Sequence, residues 1–122
     1  MRLAVMSDVH GNLPALEAVL SDLKQYEKDS IIFAGDLVGG PHTVETTRLL
    51  RSLGSSMIRG NSDSGLLRYD AGEMPAYRYT HRQFALSRWI HRHIDRETLD
   101  FITLFLRKTS RFLFNSAKRV HF

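Results

Sequence analysis

A chain of 122 residues suits one domain with one core. Its 43% hydrophobic and 25% charged residues are ordinary for a soluble globular protein, and the lack of cysteine excludes disulfides and thiolate metal sites. "MRLAVMSD" breaks after too few apolar residues for a signal peptide, and no membrane span is present, so a cytoplasmic protein without a membrane partner is expected. The net charge of +4 is unevenly spread: residues 62–122 carry eleven Lys/Arg against six Asp/Glu, while residues 1–61 carry six against seven. The basic half can attract phosphate or nucleic acid, or can simply be the solvated surface of Arg-rich helices.

"RLAV" reads as a buried strand stopped by Ser7 and Asp8. After "HGN", Leu16, Val19, Leu20 and Leu23 recur at helical spacing, with Asn12 as N-cap and Pro14 in the first turn. "SIIFA" (30–34) is a second strand. "PHTVETTRLLRSLG" is a second helix, with Leu49, Leu50 and Leu53 inward and Gly54 closing it. "SSMIRGN" is a third strand. Residues 64–79, with Gly65, Gly72 and Pro75, show no period and read as a loop. Two further helices are expected, one with Leu86, Ile90 and Ile94 on its inner face, the next with Leu99, Ile102 and Leu106. "SRFLFNSAKRVHF" reads as a strand, a turn at Asn115-Ser116 and the start of another strand. The β-α-β-α-β start implies parallel strands, right-handed crossovers and helices covering the sheet.

Polar clusters follow each of the first three strands: Asp8 and His10 in "MSDVHGN", Asp36 in "GDLVG", and Asn61 in "GNSD". Parallel neighbours present these ends along one edge, where open α/β folds bind ligands. Three oxygen donors and an imidazole suit a divalent ion such as Mn, Fe or Zn, and Asp36, on the middle segment, is placed to bridge two. Gly11, Gly35, Gly39 and Gly60 flank these residues and let the backbone bend close to the site. Singly, each cluster reads as a helix cap or an ordinary turn. Three in this order, each after an apolar run, point to a site.

These clusters resemble the opening motifs of the calcineurin-like metallophosphoesterases: D-x-H, G-D-x-x-G and G-N-x-[DE]. "SDVHGNLPALEAVL" is similar to the small single-domain bacterial phosphodiesterases and phosphatases of that superfamily. The resemblance implies an α/β fold, here an incomplete version of the family's four-layer α/β/β/α arrangement with helices on the sheet's faces. It implies two divalent ions (Mn first, then Fe, Zn or Ni) about 3.5–4 Å apart. Asp8 and His10 would bind the first ion, Asp36 would bridge both and Asn61 would bind the second. Asp36 and Asn61 are thus the catalytic candidates, with Asn12, Asn61 and Ser62 as substrate contacts. Ser62 stands where some relatives carry a histidine; its hydroxyl can hydrogen-bond phosphate but is a poor acid at neutral pH. Asp63 is expected to orient a neighbour.

The family's later H-G and G-H-x-H motifs do not follow. Residues 1–122 are therefore expected to be a C-terminally shortened phosphoesterase domain, with an unpaired sheet edge that an oligomer would cover. His121 is expected on a strand, His91 and His93 on a helix, and His42 at the rim of the site. The expected function is metal-dependent hydrolysis of phosphomono- or phosphodiesters. The alternatives are a non-catalytic metal-binding remnant dependent on a partner, or a nucleic-acid binder using the basic half. The last would set aromatic residues among arginines, whereas Phe84, Trp89, Phe101 and Phe105 fall at core spacing.

Overall fold

The computed structural model describes residues 1–105. Three parallel strands, β1 (Leu3–Met6), β2 (Ser30–Phe33) and β3 (Ser56–Met57), form a sheet in the order β1-β2-β3. Helix α1 (Leu13–Asp22) joins the first two strands and α2 (Thr43–Ser52) the next two. Helices α3 (Asn61–Asp70), α4 (Tyr77–Thr80), α5 (Ala85–His93) and α6 (Arg96–Thr103) follow. The β-α-β-α-β start expected from the sequence is present. Leu106, the segment "SRFLFNSAKRVHF" and His121 lie outside the described residues.

The register explains where the core sits. Paired residues of parallel strands point to the same face, so Met6, Phe33 and Met57 share one face while Val5 and Ile32 share the other. The first face packs against Leu16 of α1, Leu50 of α2, Leu66 of α3, Ile90 of α5 and Leu99 and Ile102 of α6 in one cluster. On the opposite face Val5 is 63% exposed and Leu3 is exposed as well. "RLAV" is thus buried on one side only, because all the described helices that feed the core do so from the other.

Several expectations need correction. Residues 64–79 are not a loop: α3 covers 61–70 and α4 covers 77–80. Gly65 is tolerated inside α3 because the helix is started firmly by Asp63, whose carboxylate accepts the Gly60 N–H (2.8 Å). The third strand is shorter than "SSMIRGN", since the chain turns into α3 from Asn61. Helix α2 turns its threonines inward: Thr43, Thr46, Thr47 and Leu50 are buried, while Leu53 is exposed. Hydroxyl donation makes this tolerable at two of the three, from Thr47 to the Thr43 carbonyl (2.6 Å) and from Thr43 to the Gly40 carbonyl (3.0 Å), while the Thr46 hydroxyl has no partner among the described residues. Val19 and Leu86 are exposed too, leaving Leu16 and Ile90 as the buried anchors of α1 and α5. Gly54 does close α2, in the left-handed region at φ 62°.

Two ion pairs fasten α6 to α2: Arg48 to Asp95 (2.8 Å) and Arg51 to Glu97 (2.7 Å). Asp95 also caps α6 by accepting the Thr98 N–H (2.7 Å). Hydrogen bonds from Thr98, and then the Arg48 charge, hold the Asp95 carboxyl below its ordinary value of 3.8. A carboxyl lowered in the folded state stabilises above its unfolded pKa and loses that contribution as pH falls through its folded pKa. Asp95→Ala should therefore cost about 1 kcal/mol at pH 7, as for the loss of a helix cap. In urea melts that gap should narrow once pH drops below 3.8; a gap independent of pH would rule out the ionised cap.

The loops above the sheet are joined by one buried group. Asp63 is 0% exposed, and its carboxylate accepts N–H bonds from Asp36 (3.0 Å), Leu37 (2.9 Å), Val38 (3.1 Å) and Gly60 (2.8 Å). Asp63→Asn keeps the shape but turns one two-fold acceptor into a donor facing N–H groups. The variant should lose at least about 2 kcal/mol of unfolding free energy. A loss under about 0.5 kcal/mol would mean that these amides find other partners.

Candidate functional site

The site is assembled by continuing the β1–β2 pairing past the strand ends. Backbone N–H groups of Asp8, His10 and Gly11 donate to the carbonyls of Gly35 (3.0 Å), Asp36 (3.1 Å) and Leu37 (2.7 Å). These bonds hold residues 8–11 alongside residues 35–37. After β3, Asp63 in the first turn of α3 binds the same 36–38 segment and sets Asn61 and Ser62, at the start of that helix, beside Asp36. The residues expected from the sequence to meet at the strand ends therefore lie on three loops stitched to one another.

Three of them are bent into an unusual conformation. Asp8 (φ 58°), His10 (φ 44°) and Asp36 (φ 61°) are the only non-glycine residues with positive φ among those described. Asp and His visit this region more readily than most residues, yet each still costs energy there, and such residues cluster at functional sites. Gly60 allows the closest approach: a Cβ there would overlap the Asp36 backbone nitrogen and carboxylate. Gly39 (φ 149°) does the same for the His10 ring, whose Nδ1 a Cβ would meet at 2.8 Å.

Hydrogen bonding fixes the chemistry of His10. Its Nδ1 lies 2.9 Å from the Val38 carbonyl, which can only accept, so Nδ1 carries the proton in that bond. When the ring is neutral, Nε2 is left as a lone pair, 3.6 Å from Asp8 Oδ1. This is the tautomer a metal-ligating histidine needs. Asp36 Oδ1 accepts from the Ser62 backbone N–H (2.8 Å) and hydroxyl (2.7 Å). With its amide turned to satisfy both neighbours, Asn61 donates to Asp36 Oδ2 (3.2 Å) and accepts from Ser62 N–H (3.3 Å). Ser62 is therefore engaged in holding Asp36. Asn12 caps α1 by accepting the Ala15 N–H (3.1 Å), which leaves its NH₂ for a ligand.

Among the described residues, no three His, Asp or Glu side chains converge on a single point. Asp8 pairs with His10 and Asp36 groups with Asn61 and Ser62, two sub-clusters on adjoining loops. The donor types, the histidine tautomer and the exposure of Asp8 fit divalent ions bound from the solvent side. The backbone N–H of His42, at the start of α2, donates to the Gly11 carbonyl (3.1 Å). His91 is set apart, against Asp70 (2.8 Å), and His93 stacks on Trp89.

A cleft of about 660 Å³ opens beside Asn61 and Ser62, running between α3 and α5 and past Arg78 of α4. Arg59, Arg68 and Arg78 line it, with Tyr69 and Phe84, and among the described residues no Asp or Glu does. The sequence reading missed this cleft because its arginines come from separate elements, with no motif to join them. Among the described residues no helix is long and apolar enough to cross a membrane.

Comparison with known proteins agrees with this geometry. The family model of the calcineurin-like phosphoesterases matches residues 1–120. Protein MJ0912 of Methanocaldococcus jannaschii is 35% identical over 102 residues, covering 82% of this chain and 40% of that protein. The symmetrical bis(5'-nucleosyl)-tetraphosphatase of Psychromonas ingrahamii is 42% identical over 73 residues, covering 56% of this chain and 26% of that enzyme. The crystal structure of a metallophosphoesterase from Sphaerobacter thermophilus superposes with a TM-score of 0.67 at 34% identity, over 86% of this chain and 41% of that one. The chain thus spans less than half the length of these relatives. With its three loop motifs joined at the strand ends and the family match running over nearly its whole length, the chain belongs to the calcineurin-like phosphoesterases.

Proposed function

We propose that this chain hydrolyses phosphate esters with the help of two divalent ions held by Asp8, His10, Asp36 and Asn61. The observation that supports this most is the left-handed backbone shared by Asp8, His10 and Asp36. Strain at three residues of one loop cluster is retained where function requires it.

Each residue has a task. His10 presents Nε2 while Val38 holds its other nitrogen, and Asp8 lies beside it. Asp36 is steadied by Ser62 in the Asn61 sub-cluster, and its backbone carbonyl accepts the His10 N–H, so its carboxylate would be the one to bridge the two ions. Asn61 adds an amide oxygen when its side chain turns from Asp36. The N-terminus of α3, opening at Asn61, places positive dipole where a phosphate would sit. Asn12 supplies an N–H donor from the start of α1. Divalent ions bound here would offset the charge of the phosphate and lower the pKa of the attacking water. Mn²⁺ is our first choice, for a donor set of oxygens and one imidazole. The substrates are phosphomono- or phosphodiesters, and the relative named as a bis(5'-nucleosyl)-tetraphosphatase extends that range to nucleotide polyphosphates.

The test is hydrolysis of a generic aryl phosphodiester by the purified chain with Mn²⁺. Turnover should require the metal and fall at least about a hundredfold in Asp36→Asn. If the folded wild type does no better than the variant, the chain is not an enzyme by itself, and a metal-binding module is the reading that survives.

A further inference from the structure

We infer that the cleft beside Asn61 is an anion subsite that holds a second phosphate group of the substrate, with Arg78 as its specificity-determining residue. This rests on the phosphoesterase reading for what happens at Asn61, but not for the binding itself.

Three observations carry it. First, the cleft is lined by Arg59, Arg68 and Arg78 and, among the described residues, by no carboxylate. The arginines that do pair with acids, Arg2, Arg48, Arg51 and Arg96, are all elsewhere. Among the described residues the cleft arginines form no ion pair, so their charge is left for a ligand. Second, Arg78 is pre-positioned. Its guanidinium lies 4.3 Å from the Phe84 ring centroid, and its buried Nε has no hydrogen-bond partner among the described residues. A guanidinium held against a ring with an unmet buried donor is costly without an anion and well suited to one. Arg59 Nε is likewise buried and unpartnered, while its NH₂ group donates to the Ile102 and Thr103 carbonyls at the end of α6.

Third, the spacing selects the ligand. Asn61 and Arg68 stand seven residues apart on α3, which is roughly 10 Å along the axis. A phosphate seated at Asn61 leaves the cleft arginines, set further along, to hold a second group. A chain of phosphates, or an ester whose leaving group is itself phosphorylated, can reach both. Esters with an uncharged leaving group would forgo the arginines altogether.

Tripolyphosphate binding to the full chain, followed by calorimetry at low salt with EDTA present, separates this from the metal site. We expect binding that weakens as salt rises, as for charge-driven contacts. Arg78→Met should weaken it by about tenfold or more, whereas Arg92→Ala, on the exposed surface of α5, should change it less than about twofold. If circular dichroism shows Arg78→Met unfolded, Arg68→Ala takes its place. Equal affinity in the cleft variant and the wild type, an equal effect of Arg92→Ala, or no binding by the wild type would overturn the proposal. Tripolyphosphate binding without turnover of the aryl diester would sink the catalytic reading alone, and turnover without tripolyphosphate binding would sink this one alone.

Discussion

Four backbone N–H groups from two loops converge on the Asp63 carboxylate, which is wholly removed from solvent. Water is excluded there, so each amide depends on that one group. The carboxylate in turn has exchanged its hydration for these bonds. The outcome is a fixed distance between the loop after β2 and the start of α3. The position of Asp36 follows from it, as does the access of Ser62 to the Asp36 carboxylate. The Val38 carbonyl that orients His10 belongs to the same clamped segment. A single desolvated anion thus fixes the geometry of side chains that it never touches.

The rest of the site is set by close backbone approach. The 8–11 segment donates its N–H groups to the carbonyls of 35–37, extending the contact of the two strands, yet both segments bend through left-handed residues that ordinary strands exclude. Glycine at 39 and at 60 removes the side chains that would hold the loops apart. Packing below and hydrogen bonding above therefore act together. The helices bury Met6, Phe33 and Met57 on one side of the sheet, and the strand ends carry the polar chemistry at its edge.

Much of this was legible in the sequence, for identifiable reasons. The strands and α1 and α2 announce themselves because their apolar residues keep one period over a whole element. Asp8, His10, Asp36 and Asn61 stand out because each follows such a run. Three things were hidden. Helix α3 was concealed by Gly65, which reads as a break although the helix that Asp63 nucleates runs through it, whereas Gly72 lies beyond the helix end. The inner face of α2 was concealed because it is built largely from threonines, two of which bond to the backbone through their hydroxyls, so the leucine pattern pointed too far round. The arginine cleft was concealed because it is a property of three elements packed together, and no local pattern encodes that.

The left-handed backbone at Asp8, His10 and Asp36 has an evolutionary consequence. Each of these residues gives up about 1–2 kcal/mol that a glycine would recover. Random variants selected only for resistance to heat should accumulate glycine or asparagine at these three positions, while selection on catalysis would purge the same changes. Stability and chemistry thus compete at three named residues, and sequencing the survivors of the two selections would show which demand has governed this loop cluster.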